Sequence, residues 1–214
     1  MTLRLYYHPL SSFCWKALIA LYEKRVDFTP QLVDFSDPAQ DAAFRALWPV
    51  RKFPVLKDEA EDRLVPESSI IIEYIDQKFP GGTRLIPADP TRAREMRLRD
   101  RFFDLHVHMP MQKVVTDRLR PEGSHDPFGV DEAKNLIETS YGMLEQEMAS
   151  RTWVMGEDFT MADCAAAPAL FYAEMAVPFG AHRNVAGYLA RLKERPSVAR
   201  VIQEAEPYFK YVPK

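Results

Sequence analysis

The sequence predicts two architectures in one chain, an α/β domain followed by an all-α domain. Three observations carry this expectation. Strand-like and helix-like patterns alternate over the first eighty residues. A stretch dense in proline and glycine, "PGGTRLIPADP" (Pro80 to Pro90), then breaks the pattern as a linker would. Beyond it every periodic stretch has helical spacing.

Taken in order, Leu3, Leu5 and Tyr7 alternate with Arg4, Tyr6 and His8, the period of a half-buried strand. Trp15, Leu18, Ile19 and Tyr22 recur at helical spacing. "FTPQLVDF" (Phe28 to Phe35) reads as a second strand and "AQDAAFRALW" (Ala39 to Trp48) as a weak helix. "FPVLKDEAEDRLV" (Phe53 to Val65) reads as a hairpin around an acidic turn. "ESSIIIEYIDQKF" (Glu67 to Phe79) is a helix with Ile71, Ile75 and Phe79 on one stripe. The order is βαβ, then α, then ββα. The βαβ part requires parallel strands and the hairpin adds an antiparallel pair. In the second half, residues 91 to 119 read as one long helix bent at Pro110. Residues 130–149, 160–175, 184–194 and 197–204 read as further helices.

The bulk numbers bound the function class. The chain has 214 residues, enough for two compact domains. A net charge of −3 gives no reason to expect nucleic acid or an anionic membrane as a partner. Two cysteines are no disulfide framework, so a reducing compartment is expected. "MTLRLYYHPL" lacks the apolar core of a signal peptide, and no apolar run is long enough to span a membrane. The expectation is a soluble, cytoplasmic protein.

Four motifs carry chemistry. Ser11 and Ser12 in "SSFCWK" follow a strand and open a helix. Serine there can cap orphan amides, or its hydroxyl can face an anion held at the positive end of the helix. On position alone Ser11 suits the ligand side and Ser12 the cap. His8 is nearby, but nothing completes a Ser-His-Asp arrangement. Phe53-Pro54 would leave the Phe53 backbone free to pair with an extended peptide ligand. Glu67 and Ser68 stand at a helix start, as a capping pair or as a site for the ammonium and carboxylate of an amino acid end. "FTMAD" (Phe159 to Asp163) has capping-box spacing and reads as structural, with Cys164 a small core residue. His106 and His108 in "DLHVHM" point to opposite sides of a helix, so no metal site is expected. The five arginines of "RAREMRLRDR" (Arg92 to Arg101), with Glu95 and Asp100, suit a solvated or subunit-facing surface.

Together these pieces resemble the cytosolic glutathione transferases over nearly the whole chain. "LYYHPLSSFCWKALIAL" resembles that family's first strand, catalytic turn and first helix. "RKFPVL" resembles its cis-proline segment, "ESSIIIEYI" its Glu-Ser motif, "RLIPADPTRAREMR" its linker and "FTMADCAAAPAL" its capped core helix. The resemblance implies a thioredoxin-like domain over residues 1–80, a linker over 81–90 and a helical domain over 91–214 that supplies the electrophile pocket. It implies glutathione as co-substrate, a cis bond before Pro54, a small-molecule electrophile and a homodimer. Glutathione would lie beside Phe53, with Lys52 and Pro54 in the same segment and its γ-glutamyl end at Glu67 and Ser68. The serine-type classes, theta and zeta, place the active serine at Ser11, whereas the position equivalent to the cysteine of the beta and omega classes is nearer Ser12. The zeta-type turn has cysteine where this chain has Phe13. His8, His106 and Met109, with Met111, would line the electrophile pocket. The implied activity is addition of the glutathione thiol to, or substitution on, an electrophile. A maleyl-type cis–trans isomerase and a non-catalytic glutathione-binding protein are the alternatives.

Overall fold

A computed structural model describes residues 2–212. Met1, and the last two residues of the helical region expected over 91–214, lie outside the described residues.

The first half is a mixed four-stranded sheet of order β2-β1-β3-β4, built from β1 (Leu3–Tyr7), β2 (Thr29–Leu32), β3 (Val55–Asp58) and β4 (Arg63–Pro66). β1 runs parallel to β2, joined by the crossover helix α1 (Ser12–Glu23), and antiparallel to β3. β3 and β4 form the expected hairpin, with Val55 opposite Pro66. β2 is an edge strand, which is why Pro30 is tolerated in it without an amide to donate. Helices α2 (Pro38–Leu47) and α3 (Ser68–Lys78) complete the βαβ-α-ββα order.

The second half is helical: α4 (Pro90–Phe102), α5 (Met109–Asp117), α6 (Pro127–Glu147), α7 (Met161–Ala176), α8 (Arg183–Glu194) and α9 (Pro196–Ala205), ending in a 3₁₀ segment, Glu206–Tyr211. Three helices start earlier than the sequence periodicity suggests, each at an Asp-Pro pair. Asp37, Asp89 and Asp126 accept a hydrogen bond from an amide of the first turn, and the proline fills a position whose own amide would be orphaned.

The single helix expected over 91–119 is interrupted before Pro110, not bent at it. Residues Phe103–His108 form a π-helical turn between α4 and α5. Pro110 cannot donate to the preceding turn, and Ser140 Oγ of α6 donates to the His106 carbonyl at 3.0 Å instead. The wider turn lets Asp100, Asp104 and His108, spaced by four, all stay buried. In an unbroken α-helix each such step would drift by about 40°.

Apolar burial is continuous between the halves. Trp15 of α1 is fully buried, with its ring 4.9 Å from Phe171 and 5.2 Å from Tyr172 of α7. An ionic cluster crosses the same seam. Lys16 of α1 pairs with Asp100 at 2.6 Å and Asp104 at 2.8 Å, and donates to Ser69 Oγ of α3 at 2.8 Å. Arg101 adds a second cation against both carboxylates, so the charges balance. Such a cluster orients its elements more than it stabilises them, but removing one member strands the rest. Four of the five arginines between 92 and 101 have acid partners in the same chain: Arg92 with Asp158, Arg97 with Glu73, Arg99 with Glu147 and Arg101 with Asp104. Each of these four cations is therefore answered by an acid within the chain.

Candidate functional site

β1 ends at Tyr7 and α1 begins at Ser12, so the connecting turn delivers Ser11 and Ser12 to the end of the sheet. The Ser11 amide donates to the His8 carbonyl at 3.0 Å, and Trp15 Nε1 donates to the Pro9 carbonyl, which fixes the turn from both sides. Ser11, not Ser12, is the helix cap: its backbone is extended and its Oγ accepts from the Cys14 amide at 3.4 Å. This corrects the division of labour read from position. Ser11 is half-exposed, and a capping oxygen keeps its own proton, which can turn toward the Cys14 thiol or toward the cavity.

Ser12 is buried in the first turn, with Oγ 3.2 Å from His108 Nδ1 and 3.1 Å from Nε2. Burial, with Lys16 adding to it, pushes the His108 imidazole down to about 4, so the ring is neutral at neutral pH. Cys14 is fully buried. Its thiol is pushed up to about 12 by burial, against the opposing pull of the Ser11 hydroxyl and the His8 amide. A buried thiol held in its neutral form is poorly placed to act as a nucleophile. Cys164 is likewise buried, in the core of α7.

A cavity of about 640 Å³ opens beside this turn. Its floor and one wall come from His8, Ser11, Ser12 and Phe53, and its other walls from α5, α7 and the 3₁₀ segment. The lining is mostly apolar. The Phe53 ring stacks on the His8 imidazole at 6.0 Å, past the last ladder pair at Val55. The Phe53-Pro54 bond is cis. One step beyond the Val55–Pro66 pair, the antiparallel register sets Pro54 beside Glu67. Glu67 has φ 69° and makes no side-chain cap, so a non-glycine residue is held in a strained conformation with its exposed carboxylate unspent at the head of α3. Ser68 is buried next to it, and Lys52 is exposed on the approach to Phe53.

Two candidates are misplaced. His106 and Met109 are exposed and do not line the cavity; His108 and Met111 do. The π turn resets the phase of the helix, so spacing counted along a uniform helix puts the wrong residues inward. His108, Phe13, Tyr172 and the segment ending at Val212 also line the cavity and were not assigned to it from sequence. The four-residue spacing of Asp100, Asp104 and His108 was a signal of the phase shift.

Among the described residues no group of three or more His, Cys, Asp or Glu side chains is placed to hold a metal ion.

A mixed sheet with a serine-bearing turn, a cis-proline segment and a helical second half defines a thioredoxin-like domain joined to an all-helical one. The glutathione S-transferase N-terminal domain matches residues 5–83, and the glutathione S-transferase C-terminal domain matches residues 127–203. The chain belongs to the glutathione S-transferase family. It is 28% identical over 205 residues to a stringent starvation protein A homolog of Coxiella burnetii, covering 94% of this chain and 92% of that protein. It is 28% identical over 211 residues to glutathione S-transferase U25 of Arabidopsis thaliana, covering 95% and 90% respectively. Among solved structures, a glutathione S-transferase from Methylobacillus flagellatus with glutathione bound superposes with a TM-score of 0.85 at 28% identity, covering 93% of this chain and 98% of that one.

Proposed function

We propose that the protein is a glutathione transferase in which Ser11 holds the thiolate of bound glutathione for attack on an electrophile in the adjoining apolar cavity. The observation that carries this reading is the place of Ser11: it stands half-exposed at the head of α1 and lines an apolar cavity beside Phe53. The M. flagellatus structure, which has glutathione bound, supports glutathione as the ligand. Glu67, with its unspent carboxylate at the head of α3, suits the γ-glutamyl ammonium, and Ser68 and the free amides there suit the carboxylate.

The energetics are adequate. A thiol of pKa about 8.5 is only about 3% ionised at pH 7. Lowering it by about two units takes roughly 2.7 kcal/mol of preference for the anion. One hydroxyl hydrogen bond to an anion supplies about 1.5–3 kcal/mol, and a helix N-terminus about 0.3–1 kcal/mol more. Ser12 contributes less, because its hydroxyl is engaged with His108.

Calorimetry with glutathione and a γ-methyl ester control tests the binding, and the ultraviolet absorbance of bound thiolate against pH tests the activation. Binding with a depressed thiol pKa is the expected result; no heat at millimolar glutathione defeats the proposal. A second reading, a glutathione-binding protein without turnover, is favoured by the similarity to a relative that is not named as a transferase. Glutathione bound with an unshifted thiol pKa would select it. We further propose a homodimer in a reducing, cytoplasmic setting. The unpaired cysteines suit that setting, and no described helix is long and apolar enough to cross a membrane.

A further inference from the structure

Arg118 closes α5 and belongs to the cavity lining, with its side chain exposed. It is the only charged residue there. No Asp or Glu lines the cavity, and burial lowers both lining histidines, His8 and His108, so each is neutral at neutral pH. The acids near Arg118 in the chain are committed to other cations. Asp117 takes up Arg120 and His125, and Asp126 takes up Lys113. Arg118 itself has no acid partner among the described residues. A chain of net charge −3 thus carries one unanswered positive charge in this cavity. The negative end of α5 favours a cation at that place, but it leaves the guanidinium donors unfilled. Leu119, Met175 and Tyr211 are exposed members of the same lining, so an anion seated there would lose part of its water and pair more strongly.

The helix also sets a length. His108, at the head of α5, touches Ser12 of the serine turn. Arg118 lies ten residues further on, about 15 Å along the axis. Side chains lean toward the N-terminus of their helix, which shortens the gap. The space between is apolar, with Met111 and Val115 on the same helix.

Resting on the thiolate reading above, we propose that Arg118 is a specificity-determining residue that selects extended aryl electrophiles bearing a carboxylate at the end remote from the attacked carbon. The planar guanidinium suits a carboxylate by paired hydrogen bonds. The simplest probe is 4′-(bromomethyl)biphenyl-4-carboxylate. The thiolate sulfur bonds to the benzylic carbon, the carbon–bromine bond breaks, and bromide leaves with the electron pair. The thiol proton has already passed to solvent, and nothing is oxidised. The carboxylate keeps its charge throughout, so Arg118 holds ground state and transition state alike and acts on KM more than on kcat.

The test compares this acid with its methyl ester, which has the same rings and leaving group but no charge. Arg118→Gln is expected to lower kcat/KM for the acid about fivefold more than for the ester, through KM. Arg118→Glu should turn the preference toward the ester, and added salt should shrink the acid's advantage in the wild type. Equal losses on the two substrates, no loss on the acid, or a preference for the acid that survives Arg118→Glu would overturn the inference. Calorimetry with the two glutathione conjugates, acid and ester, needs no turnover. Conjugates that both bind, with neither weakened selectively by Arg118→Gln, would overturn the inference and leave glutathione binding standing. Failure of glutathione and both conjugates to bind overturns the thiolate reading itself, and this inference with it.

Discussion

Ser11 and Ser12 are neighbours with different obligations. Ser11 accepts from the Cys14 amide and has its proton to give; Ser12 is tied to His108. Ser11→Ala is expected to raise the pKa of the bound thiol by about one to two units and to cut the neutral-pH rate about tenfold or more. It also removes a cap worth about 1 kcal/mol. Ser11→Thr keeps the hydroxyl and should recover both, as read by thiolate absorbance and urea unfolding. Ser12→Ala should leave the thiol pKa in place and lower stability by about 1–3 kcal/mol, because it strands a buried imidazole. The reverse pattern of pKa shifts would transfer the role to Ser12. His108 makes a separate prediction about pH. Its pKa falls from an ordinary 6.5 to about 4 in the folded protein, so between those values the unfolded chain binds the proton and the folded one does not. Its contribution is intact above pH about 6.5 and is lost as pH falls toward about 4, a change of roughly 2–3 kcal/mol. His108→Gln should flatten the urea-derived stability profile across that window. An unchanged slope would count against the buried neutral imidazole.

At the scale of elements, α7 depends most on one side chain. Asp163 is fully buried and accepts from the Thr160 amide at 2.8 Å, the Thr160 hydroxyl at 3.1 Å, the Val154 amide at 3.0 Å and the Tyr188 hydroxyl at 2.6 Å. Asp163→Ala would orphan all four donors and is expected to cost about 3–5 kcal/mol, measured by chemical unfolding. A cost under about 1 kcal/mol would show that water replaces the carboxylate. This element was readable in advance, since "FTMAD" has the capping-box spacing and the structure keeps both halves of the box. The π turn was not readable in the same way. Pro110 announces an irregularity, yet the break falls over Phe103–His108, where no proline or glycine stands. That displacement put Met109 and His106 outside and hid His108. Tyr172 was missed for another reason: it ends the run "CAAAPALFY", whose apolar character spoke only of burial. Which side of a buried helix meets a cavity is visible only once its neighbours are placed.

For the whole molecule, the strand and helix order was legible because each element carries its own period, and the two-part architecture followed from where strands stop. The tertiary pairing of charges was not legible. Lys16 lies more than eighty residues from Asp100 and Asp104 in sequence and meets them only when α1 docks on α4 and the π turn. With most α4 arginines satisfied within the chain, the proposed dimer has a better motive in apolar side chains. Leu98 is 64% exposed, Leu105 50% and Met109 47%, spaced so that they recur along the outside of α4, the π turn and the start of α5. Sedimentation equilibrium at micromolar concentration should give twice the monomer mass. Leu98→Glu combined with Leu105→Glu should shift it toward monomer. A monomer at every concentration for wild type would refute the dimer.

The burial of both cysteines bears on durability. A protein that concentrates reactive electrophiles beside its own side chains risks being alkylated by them. Here the only two thiols sit inside, and both are pushed above their ordinary values by burial, Cys14 to about 12. Burial holds Cys14 as the neutral thiol at neutral pH, and the thiolate is the form that reacts. In the proposed transferase, bound glutathione would thereby bring the reactive thiol to the cavity, with neither cysteine competing. Mass spectrometry after exposure to monobromobimane should find no adduct on the native protein and two after denaturation. Rapid labelling of Cys14 in the native state would mean that the turn opens far more readily than its packing implies.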